Sequence, residues 1–546
     1  MPEYLYPGVY VEEVDTGNKP IEGVSTSTTG FLGIAERGPV TATFVTSYTE
    51  FQRSFGTYYT YTAGGQPAQA YLAYAVEGFF LNGGLRCWIA RVTALDAAHG
   101  GAGKAATATA TSTAITINAA GPGATGSQIG FMISPAGNSY VSSAGTPVNQ
   151  TLFRLTVYYW SSAALANQAM TAFNAAVTAA SAATLPGVLA STPNPAPAQT
   201  EVFDNLSSDP NSSVYYVGVV NGGSDLVTVA AATAAQPTNT NAIALLTGGS
   251  DGTVQLTLSD FAGNNTNPEA PIGLAALAAV DEISLLCCPD ESSQPIGQVA
   301  GQLQQVCESL KDRFAILQSL PQAGGPSSVT PSVISEYAAF YYPWLNVVNP
   351  TTNLTTLIPP CGHIAGIYAR SDNDENVAKD PANEQILGID SIQLPINNQL
   401  QAILNPIGVN CLRYFKGQGN LVWGGRTTSS DSDWQYISVR RLFIYIEKSI
   451  QQGTQWVVFE QNDPTTWARV VRSVSDFLTG LWMQDMLMGA TKDQAFFVRC
   501  DNTTMTQADI ENGRLIVLVG VAPVYPAEFV IFRIGQWSGG ASVTES

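Results

Sequence analysis

Gly30-Phe31-Leu32-Gly33-Ile34-Ala35, then helical segments at Thr49 to Phe55 and Ala68 to Leu81, then Arg86-Cys87-Trp88-Ile89-Ala90-Arg91-Val92, sets the fold class of this 546-residue chain. An apolar strand, two helical stretches and a second apolar strand are the start of an α/β sheet. Gly83-Gly84 ends the second helix, as glycine does where a helix must stop. The same rhythm returns at Glu282-Ile283-Ser284-Leu285-Leu286-Cys287-Cys288-Pro289-Asp290, a buried strand, followed by a helix over Ile296 to Leu310 and a strand over Arg313 to Leu317. Between the two blocks, from about Thr93 to Gly248, composition shifts to Ala, Thr, Ser, Gly and Asn. That stretch has β-like pieces at Ala114 to Asn118, Leu152 to Trp160 and Ser213 to Val220, a weakly helical Ala163 to Ala183, and an extended Thr192 to Pro197. A pattern that resumes on both sides of a compositional island reads as an insertion.

The last third contains two amphipathic helices. Over Tyr436 to Gln452, Val439, Leu442, Phe443, Ile446 and Ile450 fall at helical spacing, with Gly453 as the stop before an expected strand, Gln455-Trp456-Val457-Val458-Phe459. In the second, Asp463 is an N-cap with Pro464 at the first helical position, and Trp467, Val470, Val471, Val474, Leu478, Leu481 and Trp482 form one stripe. Both stripes need burial. The chain then reaches Ala527-Glu528-Phe529-Val530-Ile531-Phe532-Arg533-Ile534, an apolar strand with no later element of its own to cover it. Its unpaired N–H and C=O groups invite another molecule to complete a sheet. Pro7-Gly8-Val9-Tyr10-Val11-Glu12-Glu13-Val14, followed by flexible Asp15 to Pro20, has the same character. Two such ends predict a polymer subunit.

The chain is long enough for several cores, and two to four domains are expected. Only 12% of its residues are charged, about half the usual share, which favours broad protein–protein contact. A net charge of -19 argues against nucleic-acid binding, which needs cationic stripes to displace counterions. No apolar run reaches membrane-spanning length, so no direct membrane insertion is expected. The start of the chain lacks a basic segment followed by an apolar one, so synthesis in a reducing cytoplasm without a signal peptide is expected. The seven cysteines are widely spaced and read as free buried thiols, with no metal and no cofactor.

Catalytic motifs fail on inspection. Gly100-Gly101-Ala102-Gly103-Lys104-Ala105 lacks the leading Gly and the trailing Ser or Thr of a phosphate loop. Of the two histidines, His99 lies in that loop; His363 follows Cys361-Gly362 ahead of an expected strand, where a Cys–His pair would share a face without a third group to orient it. Asp372-Asn373-Asp374-Glu375-Asn376 lacks the spacing of a calcium loop and reads as a solvated turn. Gly23-Val24-Ser25-Thr26-Ser27 lacks the closing Gly of a nucleophile elbow. No enzyme is expected.

The pattern resembles the sheath proteins of contractile tails, found in contractile phages, R-type bacteriocins and phage-tail-like contractile injection systems. The residues that carry the resemblance are Pro7 to Glu13, Gly23 to Gly33, Arg37-Gly38-Pro39, Glu50-Phe51 to Phe55-Gly56, Gly248 to Thr253, Val422-Trp423-Gly424-Gly425-Arg426-Thr427, Val439-Arg440-Arg441-Leu442, Ala495 to Asp501 and Pro526 to Val530. They cover about half the chain. The resemblance implies a multidomain α/β (α+β) subunit. Residues 1–25 would form an N-terminal arm belonging to an inner domain, and 359–526 the rest of that inner, tube-proximal domain. Residues 26–92 and 249–358 would form an outer α/β domain, 93–248 an inserted β-containing surface domain, and 527–546 a C-terminal strand arm.

The implied function is structural: a helical homopolymer around an inner tube protein, bounded by baseplate and terminal cap proteins, that contracts to drive the tube through an envelope. The particle would be a phage tail or a phage-tail-like assembly. Its inter-subunit strands would use Val9, Tyr10, Val11 and Glu12 at one end and Phe529, Val530, Ile531 and Phe532 at the other. The Asp463 helix would face the tube through Arg469, Arg472, Asp476, Gln484 and Asp485; the same face also reads as the solvated side of a core helix. The outer insertion is longer than in the compact two-domain sheaths of R-type bacteriocins. Rival readings are a polymeric surface-layer or adhesin-type protein, which should carry a signal peptide, and a hydrolase, which should cluster a base and a nucleophile.

Overall fold

A computed structural model of the chain describes residues 20–533 apart from 64–65, 95–104, 113, 138–151, 182, 234, 253–254, 295–296 and 322–324. Val9, Tyr10, Val11 and Glu12, as well as His99 and Gly100 to Lys104, lie outside the described residues. Two compact units emerge. The larger comprises Gly23–Asn376 and Pro381–Ser449; the smaller is built from Ile450 onward, with Val377–Asp380 and the described residues of 1–22.

The larger unit is organised by an eight-stranded sheet of β1 (Thr29–Gly33), β2 (Thr43–Val45), β3 (Cys87–Arg91), β4 (Leu285–Cys287), β5 (Phe314–Gln318), β6 (Ala338–Tyr342), β7 (Val409–Phe415) and β8 (Gly419–Trp423), in the order β2-β3-β1-β4-β5-β6-β7-β8. From β3 to β7 neighbours are parallel; β2 and β8 close the two edges antiparallel. β1, β4, β5 and β6 are buried throughout, which is why they read as unbroken apolar runs rather than alternations. Helices α1 (Tyr48–Phe55), α2 (Leu72–Leu81), α3 (Gln298–Leu310), α4 (Cys361–Asp374) and α5 (Ile437–Gly453) complete the framework. β7 and β8 extend the sheet through 409–423, and the division between the two compact units falls inside α5.

The stretch at 105–250 builds its own cores. Ile129–Pro135, Leu152–Tyr159, Gln199–Ser207 and Ala244–Leu245 form a four-stranded sheet; Thr109–Ser112, Ile115–Ala119 and Val227–Ala231 form a three-stranded one. Phe131, Phe153, Leu155, Val157, Tyr216 and Val229 pack together in one cluster, while Trp160, Met132 and Phe173 make a second under the helix Ala163–Ala179.

Three expectations need correction. Ser213 to Val220 is not a strand: a helix covers Tyr216–Gly223, with Tyr216 and Val220 buried at i and i+4. Gln455 to Phe459 is a single 3₁₀ turn over Gln455–Val457, after which Phe459 sits at φ +70°. His363 stands on α4, not before a strand. On a helix, Cys361 and His363 two residues apart do not face each other, so they make no pair. Every residue from Cys361 to Ala369 is buried, and a helix buried all round shows no apolar stripe to distinguish it from a strand. α4 lies against α2 backbone to backbone. A Cβ on Gly362 would meet Ala75 O, and one on Gly366 would meet Phe79 O at 2.4 Å.

At the end of β4, two adjacent carboxylates are buried without a cationic partner in their hydrogen bonds. Asp290 accepts from Ile34 N and Tyr71 N, each at 2.7 Å, and from Leu72 N, so it caps α2. Glu291 accepts from Gln318 Nε2 at 3.0 Å and from Ala300 N at the start of α3. Burial pushes Asp290 up to about 7 and Glu291 up to about 8, against the pull of these donors. Between the ordinary carboxylate range and those values the folded chain keeps protons that the unfolded chain has released. Stability therefore falls as pH rises through that window. A urea midpoint lower at pH 8 than at pH 5 is expected, and Glu291→Gln should flatten the difference; equal wild-type midpoints would contradict it.

Candidate functional site

The smaller unit has a modest core and much uncovered apolar surface. Helix α6 (Pro464–Met483) starts as its sequence demands, with the Asp463 side chain accepting from Thr466 N at 2.8 Å and Pro464 in the first turn. Its buried stripe contains Trp467, Val470, Val474, Leu478 and Leu481. Trp467 packs with Cys500 and Met505, flanked by partly buried Val471, Ile510, Leu515 and Val517, and donates through Nε1 to Asn462 Oδ1 at 2.7 Å.

Strands β9 (Phe496–Arg499) and β10 (Leu518–Val521) pair antiparallel and make a sheet of two. The Phe497 ring lies over Gly520, where a Cβ would approach it to 2.2 Å. Two strands alone are marginal in water, and among the described residues neither outer edge carries a further strand. Met483, Met488, Phe497 and Leu518 are each at least half exposed in the same unit. Phe459 is fully exposed despite its left-handed backbone.

After β10 the chain forms no further strand over residues 524–533, and Glu528 N donates to Pro526 O at 3.1 Å in a tight turn. Phe529, Val530, Ile531 and Phe532 are between 69% and 83% exposed.

The proposed tube-facing residues are partly brought together. Arg469, Arg472 and Asp476 fall at i, i+3 and i+7 of α6 and share a face. Gln484 is the C-cap and Asp485 follows at φ +57°, beyond the helix and off that line. Arg469 is half-buried, its guanidinium 4.5 Å over the Trp456 ring and 3.9 Å from Glu460; Arg472 and Asp476 are exposed.

Polar groups elsewhere are committed to structure. The conspicuous pair Arg440-Arg441 is buried. Arg440 lies over the rings of Tyr337 and Trp434 at 4.7 and 4.4 Å, with Glu336 and Glu447 as ionic partners. Arg441 grips Asp372 with both guanidinium nitrogens, at 2.9 and 2.6 Å. Burial alone would lower the Arg441 guanidinium, and the Asp372 carboxylate overrides that and holds it above its ordinary value. Asp372 is therefore a buried ion-pair member at the end of α4, and not part of a solvated turn. All seven cysteines are free and buried, and burial pushes the thiols of Cys87, Cys287, Cys288, Cys307, Cys411 and Cys500 up. Burial likewise lowers His363 to about 4. Among the described residues no cluster of His, Cys, Asp and Glu could hold a metal, and no helix is long and apolar enough to cross a membrane.

Comparison with known proteins agrees with this geometry. Residues 263–428 match the phage tail sheath protein central domain, and residues 429–536 match the phage tail sheath C-terminal domain, together half of the chain. The tail sheath protein of Vibrio phage KVP40 is 29% identical over 192 residues, which cover 34% of this chain and 28% of that protein. A putative prophage major tail sheath protein of Pseudomonas aeruginosa is 25% identical over 269 residues, 46% of this chain and 65% of the relative. The chain thus aligns with less than two thirds of the length of either relative.

Two solved structures share the fold across 98% of this chain and 99% of their own. They are the sheath complex of the extracellular contractile injection system PVC in its contracted state (TM-score 0.55, 19% identity) and the helical sheath of the anti-feeding prophage in its contracted state (TM-score 0.53, 23% identity). Matched by both tail sheath domains in succession over residues 263–536, the chain belongs to the contractile tail sheath proteins, a structural and not an enzymatic family.

Proposed function

We propose that this chain polymerises as a helical sleeve around an inner tube, bounded by baseplate and cap proteins, and that contraction of the sleeve drives the tube through a target envelope. The observation that carries the reading is that one compact unit holds both an exposed apolar segment, Phe529 to Phe532, and a sheet of only two strands, β9–β10. A largely exposed apolar segment can serve as a strand donor, and a sheet of two strands with no third strand among the described residues as an acceptor. Donation from copy to copy is head-to-tail and does not close on itself, which generates a helix. Residues 9–12 would donate in the same manner from the other arm. Main-chain ladders keep neighbours joined while the globular parts rotate, with Asp15 to Pro20 and Tyr525-Pro526 as hinges.

With no nucleotide site assigned, the work of contraction comes from subunit contacts less favourable at assembly than those reached afterwards. The solved relatives, in contracted sheaths and in the anti-feeding prophage baseplate, fit this role and a place in a phage-tail-like particle. Negative-stain microscopy of the purified protein tests the reading directly. Cog-like hollow tubes are expected, whereas a flat lattice or discrete particles would refute it.

The tube contact is assigned to the Arg469, Arg472 and Asp476 face. Weak polar contacts, on the order of 0.2–1 kcal/mol each, suit a surface that must release during contraction, and repetition along the sleeve multiplies them. Arg472→Glu is the cleaner probe, because Arg469 also braces Trp456 within its own unit. Full-length sheathed tubes should fall by about tenfold in Arg472→Glu with folding unchanged; an unaltered yield would remove the assignment.

A further inference from the structure

The eight-stranded sheet ends in β8, and an uncovered edge there would compete with β9–β10 for every donated strand. The opposite edge strand, β2, is only three residues long. β8 is instead covered by a strap, Asn383 to Leu387, between two left-handed residues, Asn383 at φ +60° and Gly388 at φ +77°. On its inner side the strap pairs antiparallel with β8. Asn383 N donates to Val422 O at 2.7 Å, Val422 N to Glu384 O at 3.0 Å, and Ile386 N to Asn420 O at 2.9 Å. Ile386 is buried and anchors it.

An added quasi-strand would merely shift the open edge outward, unless its outer polar groups were also taken. Three of them, Gln385 O and both main-chain groups of Leu387, are taken by two side chains. Arg370 Nη2 donates to Gln385 O at 2.6 Å and reaches Glu384 Oε2 at 3.2 Å. Asn82, fully buried at the end of α2, accepts from Leu387 N at 2.9 Å and donates to Leu387 O at 3.1 Å. Arg370 Nη1 in turn donates to Asn82 O at 3.4 Å, so the two locks are linked. A side-chain amide bonded to both main-chain groups of one residue imitates the next strand of a ladder and ends it.

We propose that Asn82 and Arg370 are specificity-determining residues: by closing the strap over β8 from outside, they deny the large sheet to strands donated by other copies and leave β9–β10 as the acceptor. The inference rests on the strand-exchange reading above for the identity of the intruding strand, but not for the existence of the lock.

The test uses the full chain and a photoreactive synthetic peptide of Pro526 to Arg533. In wild type, the Val422 amide should be protected from hydrogen exchange and the peptide should crosslink within 496–499 or 518–521, not within 419–423. In Arg370→Ala combined with Asn82→Asp, Val422 exchange should speed up by about tenfold or more, the order expected when one or two charge-assisted bonds are lost, and crosslinks should appear within 419–423. Arg370→Ala alone, at a side chain 19% exposed, leaves the Asn82 cap of α2 in place and serves if the double variant does not fold. Gln385→Ala, which removes no main-chain bond, should match wild type.

Unchanged Val422 exchange in Arg370→Ala, or faster exchange without crosslinks at 419–423, would overturn the proposal. Absence of wild-type crosslinks at 496–499 and 518–521 would instead refute strand donation. The lock would still be read from Val422 exchange and from crosslinks at 419–423.

Discussion

Deleting residues 527–546 is expected to abolish tube formation while leaving both compact units folded. Phe529, Val530, Ile531 and Phe532 are mostly exposed, so their removal takes nothing from a core. Changes at such surface positions ordinarily stay within about 0.5 kcal/mol. The polymer has no such immunity. Each donated strand would bury apolar side chains at roughly 1.5–3 kcal/mol apiece and add a main-chain ladder. Losing even two of those side chains, about 3 kcal/mol, raises the concentration needed for assembly by roughly 100-fold. A thermal unfolding profile like that of the full chain, with discrete particles in negative stain, is the expected pair of results. Normal tubes from the truncated chain would refute the donor role. Removal of Met1 to Pro20 should behave in the same way if the other arm also donates.

The second large effect lies within the subunit. Arg441→Ala is expected to destabilise the larger unit by about 3–5 kcal/mol, because it leaves the Asp372 carboxylate buried without its partner. The two side chains are 3% and 4% exposed. Thr26 joins them, its hydroxyl donating to Asp372 Oδ2 at 2.6 Å and its carbonyl accepting from Arg441 Nη2 at 3.0 Å. Val24 N is held by Ser449 Oγ at 3.2 Å, and Gly23 lies so close to the Tyr445 ring that a Cβ there would collide with it. Residues 23–26 are thus clamped to α4 and α5 where the chain enters β1.

The double replacement Arg441→Met with Asp372→Leu should recover more than half of the loss, because a buried ion pair offers little beyond an apolar pair of similar volume. Urea unfolding of the single and double variants checks both statements. A loss under 1 kcal/mol for Arg441→Ala would show that water reaches the site.

Much of this was legible before any fold was drawn, and the exceptions have physical causes. Strands β1, β3, β4 and β5 were legible because strands buried on both faces of a parallel sheet are continuous apolar runs. Helices α5 and α6 were legible because each has one dry face, and α6 also carries its Asp463-Pro464 start signal. The same rule misleads at Cys361 to Ala369. There the helix is dry on every side, and Gly362 and Gly366, which look like breakers, are what lets α2 approach. Trp456-Val457-Val458-Phe459 has every β-forming residue a strand could want, yet among the described residues no strand lies beside it and Gln455–Val457 closes into a 3₁₀ turn. The Asp372 cluster looked solvated because its partner, Arg441, is 69 residues away in sequence.

By itself the sequence determined the α/β class and the family, because periodicity, composition and motif order are local properties of a chain. Tertiary structure alone decided that β8 is covered by the strap held by Asn82 and Arg370, that Arg441 and Asp372 clamp the entry to β1, and that β9–β10 has no third strand among the described residues. Those outcomes depend on which main-chain groups are left without a partner once distant segments meet, and no local pattern carries that information.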